Sequence, residues 1–148
     1  MKIIIDADAC PVKAEIIHLA GQYELDVVLV SSIAHYSFEE HPDFVKVVYV
    51  EKGADSADFK IVQLAKNGDI VVTQDYGLAS LVLPKGCRVV HHKGYEYTSH
   101  NIDQLLQNRH IGALQRKSGL RTKGPKPFKE EDRQQFIQFF TDLLENMT

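Results

Sequence analysis

At 148 residues, with 44% hydrophobic and 25% charged residues, the chain has enough material to bury one core without disulfides or a structural metal. No apolar run of membrane-spanning length and no signal-peptide pattern occurs, which argues against a membrane protein and leads us to expect a cytoplasmic location. The formal net charge of −3 conceals an asymmetry: seven of the 17 Lys and Arg residues lie between Arg109 and Lys129, a stretch without any acid, which leaves ten bases against 20 acids elsewhere. An acidic body joined to a basic segment suits a protein that handles a cation and a polyanion together.

In chain order, Lys2 to Asp6 reads as a buried strand, an unbroken apolar run that ends in acid. Pro11 suits the first turn of a helix in which Val12, Ile16, Leu19 and Ala20 recur at helical spacing. Val27 to Val30 is a second buried strand. Ile33 to Asp43 has no clear period and reads as an irregular or partly helical excursion. Lys46 to Val50 gives a third strand. Asp55 or Ser56 can cap a helix whose inner face is Asp58, Ile61, Val62 and Ala65, ended by Asn67-Gly68. A fourth strand, Asp69 to Thr73, a short helix, Leu78 to Leu83, and a fifth strand, Arg88 to His91, follow.

Alternation of this kind implies right-handed βαβ units. The expected fold is α/β, a three-layer α/β/α arrangement around a mainly parallel five-stranded sheet. After Thr98 the pattern turns helical, around Ile102 to Leu106 and Glu131 to Leu144. We therefore expect a single domain with an α/β core over 1–98 and a helical C-terminal part over 99–148, containing a basic loop at 109–129.

Acids gather where these elements meet. Asp6 ends the first strand and Asp8 follows a turn that keeps the two close, Asp55 and Asp58 open a helix, and Asp75 stands two residues past the fourth strand, beyond Thr73. Parallel strands would bring all five carboxylates to one sheet edge, where mutual repulsion and desolvation favour a bound divalent cation. Asp58 is the most informative, because its helical register with Ile61 and Ala65 aims it at the sheet. Each acid also has a structural explanation: Asp55 as a cap, Asp58 beside a helix N-terminus, Asp75 shaping a turn before Gly77. Three acidic clusters at one edge nevertheless fit two-metal phosphoryl chemistry better than coincidence.

Arg116, Lys117, Arg121 and Lys123 are candidates for gripping substrate phosphates. Tyr95, Tyr97 and Phe128 read as core rather than as base-stacking groups. Cys10 reads as a small packing residue, and Cys87 falls at the opposite end of a parallel sheet, too far away to bridge with it. The seven histidines show no zinc spacing.

The segments Asp6-Ala7-Asp8-Ala9-Cys10-Pro11-Val12, Gly53-Ala54-Asp55-Ser56-Ala57-Asp58, Asp69 to Ala79 and Gly124-Pro125-Lys126-Pro127-Phe128 resemble the YaiI/YqxD family of small bacterial proteins. That family's core is similar to PIN-like (NYN-type) nuclease domains. The resemblance implies Mg²⁺ or Mn²⁺ held by Asp6, by Asp58 or Asp55, and by Asp75 with Thr73 beside it. The wider pattern carries a further acid where Tyr76, Gly77 and Leu78 stand here.

The expected activity is thus a PIN-like, metal-dependent nuclease acting on RNA or another single-stranded nucleic acid, with Asp6, Asp8, Asp58, Asp75 and Thr73 as the working residues and Asp55 as an auxiliary ligand. Two other readings compete. A haloacid-dehalogenase-like phosphatase would use Asp6 as nucleophile, since Asp6-Ala7-Asp8 after a buried strand imitates that family. A non-catalytic module would bind RNA or protein through the basic segment.

Overall fold

A computed structural model describes residues 1–53, 55–117 and 127–147, with backbone alone for 109–117. Six strands form one sheet: β1 (Lys2–Asp6), β2 (Asp26–Ser32), β3 (Val45–Val50), β4 (Ile70–Val72), β5 (Arg88–His91) and β6 (Tyr95–Tyr97). Their spatial order is β3-β2-β1-β4-β5-β6, parallel throughout except for β6, which runs antiparallel to β5. The sheet therefore has one strand more than the five expected. Three residues are too short to show a period, and β6 declares itself through tertiary contacts instead. The turn before it needs Gly94 at φ +94°, and Arg88 of β5 pairs with Glu96 of β6 at 2.5 Å.

The helices are α1 (Lys13–Gln22), α2 (Ser56–Leu64), α3 (Tyr76–Val82), α4 (Ser99–Lys117) and α5 (Glu130–Met147). Alternation along the strands divides the core into two layers. Ile3, Ile5, Val27, Leu29, Ile70, Val72 and Val90 face one side, where Ile16 and Leu19 of α1 and Phe136, Phe140, Leu143 and Leu144 of α5 cover them. Ile4, Val28, Val30, Val71 and Val89 face the other side, under Ile61 of α2, Leu78, Ala79 and Val82 of α3, and Ile102 of α4. The result is a three-layer α/β/α fold with C-terminal helices. Cys10 and Cys87 are both buried and free, one in each layer, in keeping with packing roles.

Two boundaries differ from the sequence reading in ways that bear on the site, while the excursion after β2 is irregular and partly helical as expected. Pro11 precedes α1, whose first residue is Lys13. The excursion after β2 contains one 3₁₀ turn, Ile33–His35, and no further helix before β3. Helix α4 runs on to Lys117, so the first part of the supposed basic loop is helical; the closely spaced breakers begin only at Gly119.

At the amino edge of the sheet, Asp69 fastens β1 to β4. Its carboxylate accepts from Lys2 N–H (3.1 Å), Lys2 Nζ (2.6 Å) and Lys66 N–H (2.9 Å). Burial alone would raise its pKa, but these donors hold it below the ordinary carboxylate value. Stability from a carboxylate with a lowered folded pKa is present above its unfolded pKa and is lost as the pH falls through the folded one. Replacing Asp69 by Ala strands two amides and an ammonium, so we expect urea unfolding at pH 7 to show a loss of about 1–3 kcal/mol. The deficit should shrink below about pH 4.

Candidate active site at the carboxyl edge of the sheet

Strand order reverses between β1 and β4, and in open α/β sheets ligands bind beyond the carboxyl ends of the strands at that crevice. Ile5 pairs with Val72, and Val72 with Val90. One residue further on, Asp6 and His91 end β1 and β5 and Thr73 follows the last residue of β4 in a single row, extended by the partners Val30 on β2 and Tyr95 on β6. Alternation puts Asp6 on the side of Ile4 and Thr73 on the side of Val71, the layer roofed by α2 and α3.

Hydrogen bonds join the first members of this row. The buried Thr73 hydroxyl donates to Asp6 Oδ2 at 3.0 Å and accepts from Asp75 N–H at 3.0 Å. Asp75 in turn caps α3, its Oδ1 accepting from the amides of Gly77 (2.8 Å) and Leu78 (3.3 Å). The turn-shaping role weighed for Asp75 is therefore realised, and the cap also fixes its carboxyl beside Thr73. Beneath them Tyr97 donates its hydroxyl to the Thr73 carbonyl at 3.2 Å. Burial pushes the Asp6 carboxyl above its ordinary value; the Thr73 hydrogen bond opposes this, and the charges of Asp75 and Asp8 add to it.

Asp8 is placed differently. The chain folds into a 3₁₀ turn over Ala7–Ala9, sinks Ala7 into the core and sends Asp8 toward the end of β2. There it accepts from Ser31 Oγ (2.8 Å) and Ser32 N–H (3.0 Å), with His35 Nδ1 at 3.2 Å. Asp58 is half-buried in the first turn of α2 and held by contacts of its own, while Asp55 is exposed at the N-cap without a capping hydrogen bond from its side chain. Among the described residues no group of three or more His, Cys, Asp or Glu side chains is placed to hold a metal ion. The turn expected after Asp6 is present, and it carries Asp8 to the end of β2.

Residue spacing did not single out His91. Its Nδ1 accepts from Lys93 N–H at 2.9 Å, and its ring stacks on Tyr95 at 4.7 Å between centroids. Burial, with the neighbouring His92 and Lys93, lowers its pKa to about 4, so at pH 7 it is a neutral imidazole with its proton on Nε2. The usable signal was positional: β5 ends in His at the same level at which β1 ends in Asp.

Arg116, Lys117, Arg121 and Lys123 have side chains outside the described residues. Where description resumes, Phe128 packs edge-on to His92 at 5.5 Å and Arg133 lies 5.3 Å over its ring. The end of the basic segment is thus fastened beside His92, next to the carboxyl end of β5. Cys10 has its thiol pushed up to about 11, chiefly by burial, which makes it a poor nucleophile at neutral pH.

A mostly parallel sheet whose switch point carries Asp6, Thr73 and the Asp75 amide in one hydrogen-bonded chain defines an α/β protein with a polar carboxyl edge. The chain belongs to the family described as "Uncharacterized BCR, YaiI/YqxD family", whose model matches residues 4–146. It is similar to UPF0178 protein OB0454 of Oceanobacillus iheyensis, with 61% identity over 97% of this chain and 99% of that one. UPF0178 protein BCE33L2782 of Bacillus cereus is 59% identical over the same shares. Among solved structures, Rae1 (YacP) from Bacillus subtilis aligns over the full length of both chains at 17% identity, with a TM-score of 0.45. Among the described residues no helix is long and apolar enough to cross a membrane.

Proposed function

We propose that this protein is a PIN-like, metal-dependent phosphodiesterase that cleaves RNA or another single-stranded nucleic acid. The supporting observation is Asp6, a carboxylate pushed above its ordinary value at the switch point of the sheet, with Asp75 and Asp8 close enough to repel it. A hard cation relieves that repulsion. Mg²⁺ commonly takes only one or two carboxylates and keeps several waters. Asp6 and Asp75 fit this donor set, with Asp8, Asp55 and Asp58 as outer partners through water. Bound there, Mg²⁺ or Mn²⁺ supplies a water of lowered pKa and neutralises charge on the scissile phosphate.

The chain's own groups have separate tasks. Thr73 fixes the orientation of the Asp6 carboxylate and ties it to the Asp75 backbone. The α3 amides hold Asp75 in place. Neutral His91, at the same level of the sheet, offers an Nε2–H donor to substrate without adding charge. Arg116, Lys117, Arg121 and Lys123 are assigned to the substrate backbone, in a salt-sensitive interaction. The test is purified protein with Mn²⁺ on single-stranded RNA and DNA. Salt-dependent RNA binding without cleavage would instead favour the non-catalytic module, a reading supported by the lack of three converging ligands among the described residues.

A further inference from the structure

On the opposite side of the sheet from the Asp6–Thr73 bridge lies a cavity of about 280 Å³, between α1, the ends of β2 and β3, and the segment that follows β2. Its floor is apolar, with Leu29 and Val47, and Tyr49 lines it with an aromatic ring braced by Tyr36 at 5.0 Å between centroids. Its polar lining mixes signs: Lys13 from α1, and Glu39 and His41 from the segment after β2. Two further lining residues, Ser31 and His35, are the groups that hold Asp8 at 2.8 and 3.2 Å. The cavity therefore adjoins Asp8, two residues from Asp6.

Size, lining and position together restrict the occupant. At the lower end of the usual ligand-pocket range of roughly 300–1,000 Å³, the cavity admits one small ring system rather than a length of polymer. An apolar floor beside a tyrosine suits a flat heteroaromatic ring. A purely anionic or cationic ligand would meet a like charge in Glu39 or Lys13. A neutral ring edge with both acceptors and donors meets neither problem: Lys13 would donate to a ring carbonyl, and Glu39 would accept from an exocyclic amine, the pairing by which these side chains read base edges.

We propose that this cavity binds one nucleobase of the substrate, of the class bearing both a carbonyl and an exocyclic amine, namely guanine or cytosine. The inference rests on the nuclease reading for its biological meaning, but binding of the base is separable from cleavage. Adenine lacks the carbonyl and uracil lacks the amine, so the site makes a base preference within the bound strand.

The test uses free nucleosides, which carry no phosphate, on the full chain labelled with ¹⁵N. Guanosine and cytidine are expected to shift the amide signals of Ser31 and Tyr49 and to bind about tenfold more tightly than adenosine and uridine. Ala14 lines the cavity from an exposed helical position, so Ala14→Leu should fill it without harm to the fold and abolish those shifts. Glu39→Gln should erase the preference for the amine-bearing bases. Equal binding of all four nucleosides, or shifts that survive Ala14→Leu, would overturn the proposal. Asp6→Asn should leave nucleoside binding intact; if wild-type protein binds guanosine yet cleaves nothing, the base site stands and the nuclease reading falls.

Discussion

Asp6→Asn is expected to lower Mn²⁺-dependent cleavage of single-stranded RNA by on the order of 10³-fold, beyond the roughly 10- to 100-fold usual for an outer partner of a metal site. The substitution keeps size and an acceptor for the Thr73 hydroxyl, so the hydrogen bond from Thr73 can persist with one charge gone. Retained cleavage would contradict the mechanism outright. The same change should stabilise the fold at neutral pH. Because the folded pKa of Asp6 is raised, chiefly by burial, the unfolded chain gives up this proton first as the pH climbs. The folded state then loses stability between the ordinary carboxylate value and the raised one. Asn removes that loss, so Tm at pH 7 should rise above that of the wild type. The gain should vanish below about pH 4, where Asp6 is protonated in both states.

Mn²⁺ should reverse the ranking of the two proteins. A ligand at 100 times its Kd adds about 2.7 kcal/mol to the state that binds it, so wild type should gain several degrees while Asp6→Asn gains little. Differential scanning with and without the ion therefore reports on metal binding even where no substrate has been found. Equal Mn²⁺ shifts in both proteins would place the ion elsewhere.

How much of this edge the sequence displays depends on whether a residue's placement is local. Asp6 and Thr73 end apolar runs of β-branched residues, and a run of that kind leaves little choice but a buried strand, so their meeting was legible. Asp75 was legible for the same reason, two residues beyond a strand end. The turn after Asp6 was legible too, but its destination was not: Ala7 sinks into the core and Asp8 is carried to Ser31 and Ser32 at the end of β2, partners remote in sequence. His91 was hidden by a different fact: its relation to Asp6 runs through the register of β1, β4 and β5, and register is a property of three strands at once. The outermost strand beyond β5, β6, depends on a glycine turn and an Arg88–Glu96 pair that no periodicity reveals. The mixed-charge cavity is likewise assembled from residues between Ala7 and Tyr49 that share no local pattern.

Phe140→Ala is expected to cost about 3–5 kcal/mol, a large share of the roughly 5–15 kcal/mol that holds an ordinary domain together. Phe140 is fully buried and stacks on Phe136 at 5.1 Å between centroids, on the helical stripe that continues through Leu143 and Leu144. That stripe is what covers Ile3, Ile5 and Val72, whose strands carry Asp6 and lead to Thr73. At its N-terminal end α5 also reaches the site loop, for Arg133 Nη1 donates to the Pro11 carbonyl at 3.0 Å and to Glu15 Oε1 at 2.7 Å. The two contacts predict different failures. Loss of the Phe140 ring empties a core volume and should shift the urea midpoint for the whole chain with an unchanged slope. Arg133→Ala should cost less in global stability, about 1–3 kcal/mol, because it removes hydrogen bonds from a partly exposed side chain and leaves the core filled. Hydrogen exchange separates them: in Arg133→Ala the amides of the Ala7–Val12 loop should lose protection while those of β1 and β4 keep it, whereas Phe140→Ala should lower protection in both together. If Arg133→Ala left the loop as protected as in wild type, α5 would be a lid on the core alone, with no part in positioning the residues that follow Asp6.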